Sequence, residues 1–399
     1  MGQERSHSNS ESLDIGLRTA STLGLRITVS TFGKLIPMVR CDAVDREGRS
    51  VCGKGKGSGT SAVVSAVFEA IEHYCCLSLR EKALLSGILG ELPLDTEIIE
   101  GSPLFTERFR RIAPPLSRVL LKGLNSMGAA IAAPAFLLDP YFRSGSSREI
   151  GYLKATGLIQ YATNSGAASG TTLEDARLHA LMELVERDAL SIEILSTIFS
   201  SNARPVRRII VQSLTEQLLS YVDLAERETG GKVAIFYIAS ELPIPVVLAR
   251  LSDPVDGAYG YFGSAAAVCL ERAIESAVAE AVQGFHIDTS ELSEPQLQAR
   301  ATEGSPYYDC LLEYGRFEYR GGLTDVRLCD IEAIIGSRDI QWQSIINSLD
   351  CAGIHVYERV IYANDVYVVQ LYAPQLERFF LATAGLFVKP GQRGLKALT

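Results

Sequence analysis

The chain has 399 residues, of which 47% are hydrophobic and 21% are charged, so it can bury a large core. Its net charge of −9 argues against a nucleic-acid-binding protein, because such proteins usually present a concentrated basic face to phosphates. The first residues contain no apolar signal-peptide core, and no later stretch approaches the ~20 apolar residues that span a bilayer. We therefore expect a cytoplasmic protein that binds neither nucleic acid nor membrane.

Strand and helix patterns alternate along the chain. Residues 1–20 are predicted as a flexible polar tail, and residues 21–399, which contain no Pro/Ser-rich linker, as one catalytic domain. β-Branched and apolar runs predict strands at 23–44, with a turn at Phe32-Gly33-Lys34, and at 232–240, 244–252 and 366–373. Helical periodicity marks residues 60–76, 174–196, 265–286 and 340–352. Together these elements predict an α+β fold with mixed α/β sheets.

One short pattern recurs in three predicted helices, at Ser65–Glu72, His179–Glu186 and Ser276–Gln283. Each copy reads small or polar, Ala, apolar, any residue, Glu, any residue, apolar, and then Glu or Gln. The unequal spacing between the copies excludes a solenoid repeat. The recurring unit is therefore a helix with the same set of polar side chains, which we expect to have the same chemical role in each copy.

The glutamates of this pattern predict a metal site. Residues three apart lie on one helix face, so Glu69 stands beside Glu72, and Glu183 beside Glu186. The first helix is otherwise apolar around most of its circumference, and buried paired carboxylates repel each other unless a cation joins them. Oxygen ligands without a His/Cys cluster favour Mg²⁺ or Mn²⁺, which often shares its shell with phosphates. For a single copy, an ordinary solvated helix face is the alternative.

Small residues precede each of these helices, at 53–60, at 164–172 and at Gly263-Ser264. We expect these segments to be loops whose backbone N–H groups bind an anion such as phosphate at the helix amino termini. The first segment lacks the Gly-Lys-Ser/Thr of a P-loop. Its Lys54 and Lys56 are either phosphate ligands or solvated charges.

Two further features refine the expected chemistry. Arg187, directly after Glu186, is suited to a bidentate phosphate or carboxylate contact, and Asp188 could orient it. The eight cysteines are scattered without a Cys-x-x-Cys pair, which argues against a zinc site and a disulfide framework. We expect reduced, buried thiols.

These motifs resemble the YcaO family, and the resemblance runs from about Gly24 to the carboxyl terminus. The family's Ser-x-x-x-Glu-x-x-Glu-Arg signature is matched by Ser65, Glu69 and Glu72, followed by His73 where the family has arginine. Its Glu-x-x-Glu-Arg-Asp signature is matched in full by Glu183, Glu186, Arg187 and Asp188, and a third helix with Glu-x-x-Gln by Glu280 and Gln283.

The resemblance implies a fold that binds ATP between helices and sheets, with Mg²⁺ on paired glutamates. The implied Mg²⁺ ligands are Glu69, Glu72, Glu183, Glu186 and Glu280. The residues that it implies for ATP are Arg26, Lys54, Lys56, Ser65, Arg187 and Gln283. No residue is assigned as a catalytic acid or base.

The resemblance also implies a reaction, in which the γ-phosphoryl group of ATP is transferred to a backbone amide oxygen of a ribosomally made peptide. The products in the family are azolines (cyclodehydration), thioamides or amidines. The expected partners are the peptide substrate and a leader-peptide-binding, TfuA-like or E1-like protein, because no leader-peptide-binding domain is recognised in this chain. A homodimer is also consistent with the sequence.

Two departures from the family pattern, and one alternative to an enzymatic function, stay open. His73 replaces an arginine near the nucleotide, and the segment from Lys389 to Thr399 has a single proline where azole-forming members have a proline-rich tail. The second departure weakens the azoline interpretation. The alternative is a non-catalytic scaffold or peptide-binding subunit that retains the fold. An ATP-grasp-like ligase would need a basic strand and a lid, which the sequence does not show.

Overall fold

The computed structural model describes residues 7–57, 59–83, 116–125, 130–144, 147–289, 311, 319–331 and 338–399. Residues 1–6 of the expected tail, Ser58 of the first small-residue segment and Cys310 lie outside them. The helices are α1 Asn9–Thr22, α2 Thr60–Ala83, α3 Arg148–Thr156, α4 Leu173–Ile194, α5 Glu216–Thr229, α6 Leu270–Thr289, α7 Arg338–Cys351 and α8 Gln392–Ala397. All helices that the periodicity predicted are present, which confirms that part of the α+β prediction.

The strands of the described residues form three sheets. The strands are β1 Arg26–Phe32, β2 Met38–Val44, β3 Ser50–Lys56, β4 Arg118–Gly123, β5 Ala130–Pro134, β6 Ala167–Gly170, β7 Val206–Ile209, β8 Val233–Ile238, β9 Val246–Ser252, β10 Tyr259–Ala266, β11 Leu323–Val326, β12 Tyr357–Ala363 and β13 Tyr367–Tyr372. The sheet orders are β1-β2-β3, β10-β9-β8-β7-β11 and β5-β4-β12-β13-β6. Within the described residues, all strand pairings are antiparallel except that of β11 with β7, so the architecture is mixed. The strands predicted from β-branched runs correspond to β1, β2, β8, β9 and β13.

The amino-terminal segment differs from the flexible tail expected for residues 1–20, because Asn9–Thr22 is a helix. Ser8 and Glu11 form a reciprocal capping box at its start, so the serine-rich composition here begins a helix instead of opposing one. Gly16 faces α2, where an added Cβ would lie 3.0 Å from the Phe68 ring. The prediction of flexibility was wrong for this segment, since small side chains let α1 pack on α2.

Three strand–helix units repeat in the chain: β3 with α2, β6 with α4, and β10 with α6. In each, a strand glycine lets the helix approach closely. A Cβ built on Gly55 would lie 2.6 Å from Ala66 N, one on Gly170 2.6 Å from Ala176 N, and one on Gly263 2.5 Å from Ala281 N. The small residues that we expected to form anion-binding loops are therefore largely strand residues, and the loop prediction was wrong for β3, β6 and β10.

The three units contact one another in a cycle. The helix of each unit also packs on the strand of another: α2 on β6, α4 on β10, and α6 on β3. This arrangement closes a ring of three strands and three helices. Because each helix carries one copy of the glutamate pattern, the ring brings all three copies to a shared centre.

Candidate active site

Five glutamates from the three helices lie within electrostatic reach of one another. Glu72 is affected by the charges of Glu183 and Glu69, Glu183 by those of Glu69 and Glu280, and Glu186 by that of Glu280. The fold therefore assembles the acidic cluster that the sequence predicted. We call these five side chains the glutamate cluster.

Burial, with repulsion between neighbouring carboxylates, raises the pKa of four glutamates in this cluster. Burial is the main cause for Glu69, Glu72, Glu183 and Glu186, and it is reinforced by neighbouring carboxylates for Glu72. The pKa of Glu186 rises to about 7, although Arg187 opposes the shift. Carboxylates that are this costly to ionise in the protein alone are suited to receive a cation.

Each neighbouring strand supplies a partner to the cluster along the same cycle. Lys56 Nζ of β3 lies 2.5 Å from Glu280 Oε2 of α6, and Ser264 Oγ of β10 donates to Glu186 Oε1 of α4 at 2.7 Å. In the third contact, the backbone N–H of Ser169 in β6 donates to Glu72 of α2. Each of these three contacts joins a strand of one unit to a glutamate on the helix of another. The polar contacts therefore connect the same pairs of elements as the packing cycle.

Two buried donors in the site have no hydrogen-bond partner among the residues that the structure describes. They are Arg187 Nε and Gln283 Nε2. Arg187 Nη2 lies 3.7 Å from Glu183 Oε1, beyond direct hydrogen bonding, and its guanidinium stacks 4.8 Å from the Phe380 ring centroid. A buried donor without a partner costs about 1–3 kcal/mol, so both groups are suited to receive a ligand with acceptor oxygens.

His73 occupies the position of the family arginine inside the site. Its Nδ1 lies 2.8 Å from the carbonyl oxygen of Cys52, a contact that places the proton on Nδ1 in the neutral ring. Its Nε2 then faces Asn164 Nδ2 at 3.5 Å and Glu69 Oε1 at 3.9 Å. The substitution keeps a nitrogen beside Glu69 but removes the fixed charge of an arginine.

The other residues predicted for ATP differ in their placement. Ser65 is half-buried on α2, one turn before Glu69, whose carboxylate accepts the backbone N–H of Lys54. The Lys54 side chain is exposed on β3. Arg26 is exposed on β1, the strand of its sheet farthest from β3, and its role as an ATP residue stays a prediction. An open cavity of about 700 Å³ contains none of the predicted site residues; it is lined by Thr31, Gly33, Lys34, Leu35, Arg227 and Glu228.

The donor set fits Mg²⁺ in its chemistry. The cluster offers carboxylate oxygens only, which hard cations prefer, and the raised pKa values record repulsion that a cation would relieve. Within the described part of the chain, no three His, Cys, Asp or Glu side chains are already close enough to hold a metal ion. Ion binding would therefore require the glutamate side chains to move together. The roles of individual residues as Mg²⁺ or ATP ligands stay predictions.

Sequence reasoning missed several residues of the site. Ser169, Ser264 and Phe380 reach it through tertiary packing. Ser169 and Ser264 had a local signal, since both lie in the small-residue segments that precede the helices, whereas Phe380 had none. The seven thiols that the structure describes are all free, as predicted, but the prediction that they are buried was wrong for Cys329 and Cys351, which are exposed. No helix in the described ranges is both long and apolar enough to span a bilayer.

Comparison with known proteins identifies the family. The family model described as "YcaO cyclodehydratase, ATP-ad Mg2+-binding" matches residues 52–377. Among solved structures, YcaO from Methanopyrus kandleri bound with AMPPCP and Mg²⁺ is 20% identical, with a TM-score of 0.69, over 97% of this chain and 96% of that one. No curated protein matches.

Two further solved structures share the fold. A heterocyclase in complex with substrate and cofactor is 16% identical, with a TM-score of 0.69, over 94% of this chain and 54% of its own. The Escherichia coli microcin synthetase McbBCD complex is 16% identical, with a TM-score of 0.56, over 89% of this chain and 88% of its own. The match of the family model over most of the chain, together with the glutamate cluster, shows that the protein belongs to the YcaO family, whose cofactors are ATP and Mg²⁺.

Proposed function

We propose that the protein uses ATP and Mg²⁺ to phosphorylate a backbone amide oxygen in a ribosomally synthesised peptide, giving an azoline, a thioamide or an amidine. The observation that carries this proposal is the convergence of five glutamates from three helices beside the partnerless donors Arg187 Nε and Gln283 Nε2. Carboxylates for cations and free donors for phosphate oxygens are the two requirements of a metal–triphosphate site.

The glutamate cluster supplies the metal ligands in this proposal, namely Glu69, Glu72, Glu183, Glu186 and Glu280. Bound Mg²⁺ would offset negative charge on the phosphates and on the departing oxygen. Ser264 holds Glu186 in place through its 2.7 Å hydrogen bond, and Lys56 neutralises Glu280. The protein's contribution is mainly to hold these charges in fixed positions.

The phosphates of ATP would lie against donors from all three units, which are Lys54, Lys56, Ser65, Arg187 and Gln283. Arg187 is the strongest candidate for a phosphate ligand, because Phe380 supports its guanidinium and its Nε has no hydrogen-bond partner among the described residues. Arg26 is left out of this set because its strand lies at the far edge of the sheet.

The proposed reaction balances as follows. A Cys, Ser or Thr side chain, a sulfide or an amino group attacks the amide carbon, and the amide oxygen takes the γ-phosphoryl group of ATP, which releases ADP. The carbon–oxygen bond then breaks as inorganic phosphate departs. The attacking group and the amide nitrogen each lose a proton when the C=N bond of an azoline or amidine forms, and the sulfur loses its proton when the C=S bond of a thioamide forms. The substrate is a peptide, and we propose that a leader-peptide-binding, TfuA-like or E1-like partner selects it.

Mass spectrometry of a candidate peptide tests this function. A Cys- and Ser-containing peptide encoded beside the gene would be incubated with the protein, its genomic partner protein, ATP and Mg²⁺. Loss of one water indicates an azoline or an amidine, and replacement of oxygen by sulfur with added sulfide indicates a thioamide. Glu183→Gln should abolish the change, whereas Glu275→Gln, at a helix α6 residue that pairs with Arg272, should not.

The alternative, a non-catalytic scaffold or peptide-binding subunit, predicts a different result. The protein would then bind its partner or peptide but would release no ADP and would bind no Mg²⁺-AMPPCP. Absence of both ADP release and nucleotide binding in the presence of the partner would overturn the enzymatic proposal.

A further inference from the structure

A buried ion pair joins helix α8 to helix α4 directly beside Arg187. Arg393 contacts Asp188 in bidentate fashion, with Nε 3.0 Å from Oδ1 and Nη2 2.9 Å from Oδ2. Asp188 is only 1% exposed, and burial raises its pKa although Arg393 opposes the shift. Removing one member of such a pair leaves a buried charge uncompensated, so the geometry of this contact is strongly fixed.

A second buried carboxylate, that of Glu377, extends the contact. It accepts the backbone N–H groups of Arg378, Gly391 and Gly394, each at 2.8 Å. The N–H of Glu377 itself donates to Asp188 Oδ1 at 2.7 Å. The residues from Glu377 to Gly394 are thereby fastened to α4 at Asp188.

The fastened segment contains the ring that supports Arg187. The N–H of Phe380 donates to Ser191 Oγ at 2.8 Å, and that hydroxyl donates to the carbonyl of Arg187 at 2.6 Å. The Phe380 ring lies under the guanidinium at 4.8 Å. The position of the Arg187 side chain therefore depends on where the residues from Glu377 to Gly394 are held.

We propose that Asp188, Glu377 and Arg393 form a latch whose role is to position Arg187, through Phe380, for the phosphates of ATP. All three are positioning residues, since none reaches the glutamate cluster itself. The inference rests on the proposed function, because Arg187 is a ligand only if the nucleotide binds there. It assigns a function to a cluster of buried charges that the glutamate motifs do not include.

A matched ion pair on the same helix separates positioning from stability. Glu193, also on α4 and 3% exposed, pairs with Arg204 Nη2 at 2.8 Å. Arg204 lies outside the segment from Glu377 to Gly394 that carries Phe380. Arg204→Ala therefore removes a comparable partner from a buried carboxylate on α4 without disturbing the latch.

The test is calorimetric titration of the full chain with Mg²⁺-AMPPCP, together with thermal melting. Arg393→Ala should weaken nucleotide affinity at least tenfold, about 1.4 kcal/mol, whereas Arg204→Ala should lower the melting temperature without changing affinity. If Arg393→Ala does not fold, Phe380→Leu keeps an apolar contact but removes the ring face under Arg187, and should weaken affinity several-fold. Arg393→Lys, which keeps charge but loses the bidentate contact, should give an intermediate affinity.

Three outcomes are distinguishable. Weak binding by the latch variants alone supports the inference. Wild-type affinity in both Arg393→Ala and Phe380→Leu overturns it, and reduces the latch to a purely structural contact. Failure of the wild type itself to bind Mg²⁺-AMPPCP, with its partner protein present, contradicts the proposed function and the inference with it.

Discussion

Close packing of α2 on β3 predicts that replacing Gly55 by any larger residue destabilises the protein. A Cβ at this position would lie 2.6 Å from Ala66 N, and ordinary contacts begin at 3.4 Å, so α2 must withdraw by about 0.8 Å at that atom and by more at the carbonyl oxygen of Ala62, which lies closer still. Its other close neighbour is the carbonyl oxygen of Ala62, also helix backbone, so no side-chain rotation can relieve the clash. Overpacking of this kind costs about 1–3 kcal/mol and occasionally more, and we expect Gly55→Ala to lie at the upper end.

The same displacement should reach the site, because the next turn of α2 carries Glu69, whose carboxylate accepts the N–H of Lys54 in β3. We therefore expect Gly55→Ala both to lower the urea midpoint and to weaken Mg²⁺-AMPPCP binding. Gly151→Ala is the matched control, since Gly151 lies in α3 with open space around its Cβ position. That change should be neutral or stabilising by up to about 1 kcal/mol. A Gly55→Ala protein with wild-type midpoint and affinity would refute the close-packing argument.

Two other predictions concern the glutamate cluster. In metal-free buffer, the raised pKa of Glu186, about 7, means that its protonated form favours folding, so this stability is lost as pH rises from about 4.5 through 7. Glu186→Gln should therefore become increasingly more stable to unfolding than the wild type as pH rises in chelator, and adding Mg²⁺ should reduce this difference. A pH-independent difference in unfolding free energy would contradict the prediction. Ser264→Ala removes the hydrogen bond to Glu186 Oε1 and should lower the free energy of unfolding by about 1.5–3 kcal/mol, measured by urea denaturation. An unchanged free energy of unfolding would contradict this prediction and would indicate that water replaces the hydroxyl at that carboxylate.

Local sequence signals were sufficient for α2, α4, α6 and α7 and for the glutamates, but not for α1, α3, α5 and α8. The 3.6-residue periodicity of α2, α4 and α6 is long and apolar, and the Glu spacing within each helix fixes which side chains share a face. The convergence of three such helices was also predictable, because the same costly pattern recurs three times and only a shared ligand compensates for it.

The strands of the three units were not predictable from local signals. β3, β6 and β10 are rich in Gly, Ser and Ala, residues that usually indicate loops. Here Gly55, Gly170 and Gly263 are strand residues because a helix backbone occupies the space of a side chain. This requirement arises from tertiary packing, which a single sequence does not display.

Long-range partners account for the rest of what the sequence did not reveal. Arg393 is 205 positions from Asp188, and Lys56 is 224 from Glu280, so neither pairing follows from helix or strand spacing. The placement of Arg26 at a far sheet edge has the same origin, since strand order depends on contacts distant in sequence.

The central claim is that the glutamate cluster holds Mg²⁺ and ATP, and ligand-induced stabilisation tests it most directly. The wild type and a Glu69→Gln/Glu183→Gln double variant would be melted with and without Mg²⁺-ATP. We predict that the wild type alone is stabilised, by about 2.7 kcal/mol at a ligand concentration one hundred times Kd. Equal stabilisation of both proteins would show that nucleotide binds elsewhere, and no stabilisation of the wild type, even with its partner protein, would contradict the account.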